Sequence, residues 1–289
     1  MSKLMISVPK IVLPAQGPKP LYYATFVMYI RRMLDYLNIA YSLSGEIASG
    51  VSKFEMAVGS GVRFLFDFSD HYFDFLPNWS EFDAYYKFHY VESAHGDCER
   101  VFPFAPVSFY DWIQYYRIKK EINYTCNANI VLNMQRPGGG AIERRTHVQS
   151  MLTRKYGALA VTNANSSQVE YWKKINNCLV HVFVPGACNN MLDRGHLQYL
   201  AFGCCTIAPK IIDMLPYYEK LVPGTHYVEC RPDYSDLIDK IEWVRSNREC
   251  AIEIGKNAKA LFERSCEPDK LWNWVLLCHS KKEIKQCGH

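Results

Sequence analysis

Three places in the chain combine residue types at spacings that chemistry could use. The first is Gln135-Arg136-Pro137-Gly138-Gly139-Gly140-Ala141-Ile142-Glu143-Arg144-Arg145. A glycine run leading into a helix exposes backbone N–H groups beside the positive end of the helix dipole, and Arg136, Arg144 and Arg145 add formal charge there. In outline this is a phosphate cradle, with Gly138 inside it. It lacks the Gly-Lys-Ser/Thr of a Walker A loop and the G-x-G-x-x-G of a dinucleotide turn. A surface turn with solvated arginines fits the same residues, and spacing leaves both readings open.

The second place is VFVPGACNNMLDRGHLQYLAFGCCTIAP at 182–209. An apolar run ends at Pro185-Gly186, Asn189 and Asn190 supply capping side chains, and Arg194 and Gln198 stand one turn apart on one helical face. Leu192, Leu197 and Leu200 take the core side. The helix stops at Gly203 and the next strand closes at Ala208-Pro209. Arg194 is thereby delivered to a strand end beside a helix N-terminus, where an anion is favoured. A guanidinium fork suits a diphosphate because each charge-assisted hydrogen bond contributes about 1.5–3 kcal/mol. An ordinary salt bridge is the competing account of Arg194. The third place is the polar loop after VRFLFDF, which offers Asp70, His71 and Asp74. Alternation puts Asp67 on the strand face opposite Phe66 and Phe68, suited to a structural hydrogen bond, whereas Asp70 lies past the strand end.

The elements that must position these residues follow from hydrophobic period and turn chemistry. The first half reads as a strand at 4–13, a Pro-Gly-Pro turn, a helix at 21–41, a second strand at 62–68, extended segments at 85–91 and 100–104, and an aromatic helix at 108–120 capped by Ser108. The aromatics at 109–116 are either a sugar-stacking platform or plain core. In the second half strands at 130–134, 158–162, 179–185 and 205–208 alternate with helices at 142–156, 168–176 and 191–202. Helices at 234–246 and 249–265 and a Trp-rich segment at 268–278 follow. Such alternation marks a parallel sheet with crossover helices, whose ligands sit at the carboxyl ends of the strands.

Composition narrows the class. The chain has 289 residues, 49% hydrophobic and 21% charged, which suits about two globular domains and excludes a disordered or fibrous protein. A net charge of +4 is too small for a duplex-binding face, so no nucleic-acid partner is expected. No stretch approaches the roughly 18–20 apolar residues of a membrane span, and the N-terminal segment lacks the apolar run of a signal peptide. The expected location is the cytoplasm, and the host cytoplasm if the protein is viral. Eleven cysteines form no C-x-x-C pair, and reduced core thiols account for them better than a disulfide framework. The sequons at Asn78, Asn123 and Asn165 are then unused. The nine histidines show no clustered ligand spacing, and no Asp-x-Asp triplet occurs, so no metal and no cofactor is expected.

From Asn129 onward, the Arg-Gly turn and arginine helix, then DRGHLQYLAFGCCTIAP, PYYEKLVPGTHYVEC and DYSDLIDKIEWVRSNRE, resemble the donor-binding half of GT-B glycosyltransferases. The likeness is to the lipopolysaccharide-modifying and protein O-glucosyltransferase family, glycosyltransferase family 90, with a looser one to exostosin-like enzymes and to viral β-xylosyltransferases acting on capsid glycans. Arg-Pro-Gly-Gly-Gly stands where that family usually has Arg-Gly-Ser/Arg. The resemblance implies an α/β fold with two Rossmann-like domains facing across a cleft, residues 1–125 on the acceptor side and 126–267 on the donor side. A C-terminal helix at about 268–280 packs back on the first domain. It implies a UDP-sugar donor, xylose first, an oligosaccharide acceptor and an inverting, metal-independent transfer. Donor contacts fall on Arg136, Arg144 and Arg194, with Gly138, Gln198, Gly186, Phe183 and Pro209 nearby. An inverting transferase needs a general base. Asp70 leads, Asp74 and His71 follow, and capping of the turn accounts for all three equally well. A non-catalytic nucleotide- or glycan-binding protein is the alternative reading, and a sugar-phosphate isomerase or epimerase a third.

Overall fold

The computed structural model describes residues 11–16, 21–47, 53–59, 61–74, 76, 78–105, 111–126, 131–132, 141–161, 167–176, 178–186 and 188–280. The chain divides into two compact units, Met1–Trp112 with Pro268–His289, and Ile113–Glu267.

The first unit holds β1 (Ile11–Gln16), α1 (Leu21–Tyr36), β2 (Tyr41–Ile47), β3 (Lys53–Val58), β4 (Val62–Asp67), β5 (Ala84–Lys87), α2 (Glu92–His95) and β6 (Val101–Pro103). Its sheet runs β2-β1-β3-β4-β5-β6. The β1/β2, β4/β5 and β5/β6 pairs are parallel, while β3 is antiparallel to both neighbours. Two of these strands, β2 and β3, are absent from the sequence reading, which goes from α1 directly to β4. Lys53-Phe54-Glu55-Met56-Ala57-Val58 is nevertheless a clean alternation, with Phe54, Met56 and Val58 buried, as a half-covered strand requires. The hairpin to β4 closes through Gly59 and Gly61 at φ 65° and 108°, left-handed conformations that favour glycine because it lacks a Cβ. The helix ends at Tyr36, short of the 41 expected, because Asn38 turns left-handed at φ 55°.

An aromatic stack fills this core. The Phe26 and Phe68 rings lie parallel with centroids 4.3 Å apart, Phe54 and Phe66 stack at 5.3 Å, and Phe66 stacks on Tyr86 at 4.9 Å.

The second unit takes up α3 (Trp112–Glu121) from its second residue, then β7 (Val131–Leu132), α4 (Ile142–Tyr156), β8 (Ala160–Val161), α5 (Gln168–Asn176), β9 (Val180–Val182), α6 (Arg194–Phe202), β10 (Thr206–Ala208), the short β11 (Met214–Leu215) and β12 (Glu219–Lys220), β13 (Val228–Glu229), α7 (Leu237–Ser246) and α8 (Arg248–Ser265). Its main sheet, β13-β10-β9-β7-β8, is parallel throughout. The α4 and α5 bounds coincide with the sequence reading. Tyr115 is fully buried against Trp172, Phe202 and Phe262, and Trp112 is also buried. These two aromatics of the 109–116 stretch are therefore core rather than a platform, while Ser108, Phe109 and Tyr110 lie outside the described residues.

The chain ends in α9 (Pro268–Ser280), which belongs to the first unit. Tyr86 donates its hydroxyl hydrogen to the Val275 carbonyl at 2.6 Å, and the Trp274 indole N–H donates to Pro103 O at 2.8 Å. Ten cysteines among the described residues are free thiols.

Candidate functional site

In the second unit the junction between β9 and α6 is built by two neighbouring arginines. Arg144 and Arg145 sit in the first turn of α4, where 3.6 residues per turn send their side chains to adjacent directions. Arg145 Nε donates to Val184 O at 3.2 Å, and Arg144 Nη2 donates to Pro185 O at 3.3 Å and to Gly186 O. Two guanidiniums thus hold three successive carbonyls at the carboxyl end of β9. Arg145 Nη2 also pairs with Asp193 Oδ2 at 3.1 Å.

Asp193 is the N-cap of α6. Its backbone is extended, φ −124° and ψ 165°, and its Oδ1 accepts from Gly195 N at 2.6 Å. The helix therefore begins at Arg194 and not at 191, and Asp193, rather than Asn189 or Asn190, caps it. Asn189 instead donates from Nδ2 to Pro232 O at 2.6 Å and accepts from Tyr234 OH at 3.2 Å, which fastens the loop before the helix. Burial pushes the Tyr234 hydroxyl up, so it stays a neutral donor. Arg194 is the first helical residue, half-buried at the positive end of the α6 dipole, the position that favours a bound anion.

The remaining expected donor residues have other surroundings. Gln198 is 8% exposed, and its Oε1 accepts from the Trp172 indole N–H at 2.9 Å, tying α6 to α5. Phe183 is buried against the His196 ring at 4.3 Å, its N–H donates to Ile207 O at 2.8 Å, and its carbonyl accepts from Tyr234 OH at 3.4 Å. Gly186 is half-buried in the β9 to α6 loop and Pro209 is buried at the end of β10. Arg136 and Gly138 lie outside the described residues. A groove of about 930 Å³ beside β13 is lined by Glu229, Asp236, Asp239, Glu253 and Trp243 and contains none of these arginines. Its carboxylates would repel a diphosphate.

The first unit places Asp70, His71 and Asp74 in one loop at the carboxyl end of β4. A buried charge network carries that loop. Asp67, fully buried, accepts from Ser69 N at 2.9 Å, Ser69 Oγ at 2.6 Å and Tyr85 OH, and pairs with Lys87 Nζ at 3.2 Å. Lys87, also fully buried, donates to Ser69 Oγ and to Asp74 O at 3.0 Å, and desolvation lowers its pKa against the pull of Asp67. Lys53 Nζ reaches Asp74 Oδ1 at 2.8 Å. Burial works to raise the Asp74 pKa, but this hydrogen bond and the charges of Lys53, Lys87 and His71 bring it below the usual carboxylate value. His95 accepts from Val91 N at Nδ1, 3.0 Å, which leaves Nε2–H to donate to Tyr72 O at 3.0 Å. Burial lowers its pKa, in keeping with a neutral ring.

Asp70 is exposed and makes no hydrogen bond among the described residues. An exposed carboxylate on a fixed loop can take a proton, whereas Asp74, held by an ammonium, is the weaker base. His71 stacks on Phe73 with centroids 4.8 Å apart. Lys53, Lys87 and His95, which hold the loop, and Asp193, which caps α6, have no place in the sequence reading, and Arg145 stands there as added charge and not as the partner of Asp193. Of these only Asp193 leaves a signal in the sequence, an aspartate just before a helix whose expected start at 191 lies three residues ahead of the observed one.

No protein-family model matches the chain. Among curated proteins, a 61-residue stretch is 34% identical to human protein O-glucosyltransferase 3, covering 20% of this chain and 12% of that protein. A 55-residue stretch is 36% identical to the uncharacterized protein 035R of invertebrate iridescent virus 3, covering 19% of this chain and 5% of that one. The chain therefore spans only a small part of the curated relatives it matches. Among solved structures, a glycosyltransferase from Rickettsia africae superposes with a TM-score of 0.53 at 10% identity, over 94% of this chain and 84% of that one. The likeness is one of fold: this chain has an α/β, GT-B-like fold.

Proposed function

We propose that the protein is a glycosyltransferase that moves a sugar from a UDP donor to a glycan hydroxyl, with inversion and without a metal ion. The observation that carries this reading is the β9 to α6 junction, where a capped helix start presents Arg194 beside a loop that Arg144 and Arg145 hold by its carbonyls. Its fold likeness to a glycosyltransferase and the short match to protein O-glucosyltransferase 3 support the same class.

The second unit is the donor unit. Arg194 and the N–H groups of the first α6 turn take the diphosphate, Gly186 lets the chain pass close to it, and Arg136 with Gly138 adds to the cradle. The first unit is the acceptor unit, with α9 part of it. Asp70 takes the proton of the attacking hydroxyl, the acceptor oxygen bonds to the anomeric carbon from the face opposite the leaving group, and the bond from that carbon to the diphosphate oxygen breaks. UDP leaves with the electron pair. Developing charge on the diphosphate meets arginine and the helix dipole, which supply what a divalent ion would otherwise supply. The donor sugar is xylose by the resemblance to viral β-xylosyltransferases.

Calorimetric titration with UDP, UDP-xylose, UDP-glucose and GDP-fucose, with and without EDTA, tests the reading. Micromolar UDP binding that survives EDTA and weakens about 10-fold or more in Arg194→Ala is the expected result. Absence of binding to every nucleotide refutes it and favours a glycan-binding module.

A further inference from the structure

We propose that the 70–74 loop is a carbohydrate subsite in which Phe73, backed by His71, stacks on one face of a pyranose ring while Asp70 and Asp74 accept hydrogen bonds from its hydroxyls. It rests on the transferase reading only in calling that ring the acceptor's.

Phe73 is 66% exposed, although burying a phenyl side chain contributes about 1.5–3 kcal/mol. The exposure belongs to a loop fastened from beneath. Asp74 O accepts from Ser69 Oγ at 3.1 Å and from Lys87 Nζ at 3.0 Å, Lys53 holds the Asp74 carboxylate, His95 holds Tyr72 O, and Asp74 N donates to His71 O at 3.2 Å. The rings add order: His71 lies 15° from parallel to Phe73, and Tyr72 meets Phe73 edge-on at 5.4 Å.

The chemistry of this patch selects its ligand. A pyranose has an apolar face of C–H bonds and a rim of hydroxyl donors, and a flat aromatic flanked by carboxylates matches both. Asp70 is exposed, and Asp74 is half exposed on its side chain with Oδ2 unbonded among the described residues. Two carboxylates beside the ring disfavour phosphate-bearing ligands. The preformed loop lowers the ordering cost of binding.

Saturation-transfer NMR with methyl glycosides of xylose, glucose, galactose and fucose, at millimolar concentration, tests this. At least one glycoside should take up saturation on its ring protons with the native chain. Phe73→Ala should weaken that binding about 5- to 10-fold and Phe73→Trp retain it, while both leave UDP affinity unchanged. No saturation on any glycoside, or equal binding by Phe73→Ala, overturns the subsite, and if UDP still binds, the transferase reading stands. Glycoside binding that depends on Phe73 in a chain that binds no nucleotide keeps the subsite and removes the transferase. Conversion of a dimer to a monomer by Phe73→Ala in sedimentation, with no glycoside binding, assigns the patch to protein contact and overturns the proposal.

Discussion

Single side chains divide into those that hold and those that act. Lys87 and Asp67 are both fully buried and paired at 3.2 Å, and removing Lys87 leaves the buried Asp67 only the longer 3.7 Å contact with Lys53, a charge in the interior that has lost its nearer partner. Lys87→Met should therefore destabilise the protein by about 3–5 kcal/mol in urea unfolding, and adding Asp67→Asn should restore part of that loss. Asp70→Asn removes an exposed group and should leave stability unchanged. If Asp70 is the base, the same change lowers kcat about 10²- to 10⁴-fold at unchanged UDP affinity. His196 gives a pH prediction. Its ring is fully buried with neither nitrogen hydrogen-bonded among the described residues, and desolvation, helped by His181, lowers its pKa to about 3. The unfolded chain binds this proton below about 6.5 and the folded chain only below about 3. Stability should thus fall with acidification across that window, by at most about 1.4 kcal/mol per pH unit from this group. Urea midpoints from pH 4 to 7 should show a shallower slope in His196→Phe.

At the scale of elements, α6 is defined by its two ends. Asp193 caps the start, and Gly203 closes it at φ 71° and ψ 35°, a left-handed terminus natural to glycine. Asp193→Ala should cost about 1 kcal/mol through the cap alone and more through the abandoned Arg145. If the donor reading holds, UDP affinity falls with it. Behind the helix, α8 approaches closely: a Cβ built on Gly255 would lie 2.1 Å from Gly203 O. Because the obstacle is backbone, Gly255→Ala should push α6 and α8 apart and cost about 1–3 kcal/mol or more, read as a fall in thermal midpoint. The alternation of strands and helices in the second unit is legible in sequence because a parallel sheet buries both faces and its strands read as apolar runs. In the first unit β3 alternates with charged residues and passes for a loop.

For the whole molecule, the chain crosses from the first unit to the second inside α3 and returns with α9. Deleting 268–289 would strip the first unit of Trp274 and of the Val275 carbonyl, leaving Tyr86 OH and Pro103 O buried without these partners. Hydrogen exchange should then accelerate across β4, β5 and β6, while β9 and β10 keep their protection.

Features governed by local rules are legible in the residues alone. These are the α/β class, the bounds of α4 and α5, the end of β4 from which the Asp70 loop departs, and thiols without a disulfide pattern, since period and capping act over a few residues. Which polar residues are structural emerges from the folded chain and not from spacing. Gln198 bonds Trp172, Arg145 bonds Asp193, and Lys53 and Lys87 bond a loop up to 21 positions away. Those partners come from different strands and helices, and pairing across such separations depends on the register of the sheet, which residue spacing does not record.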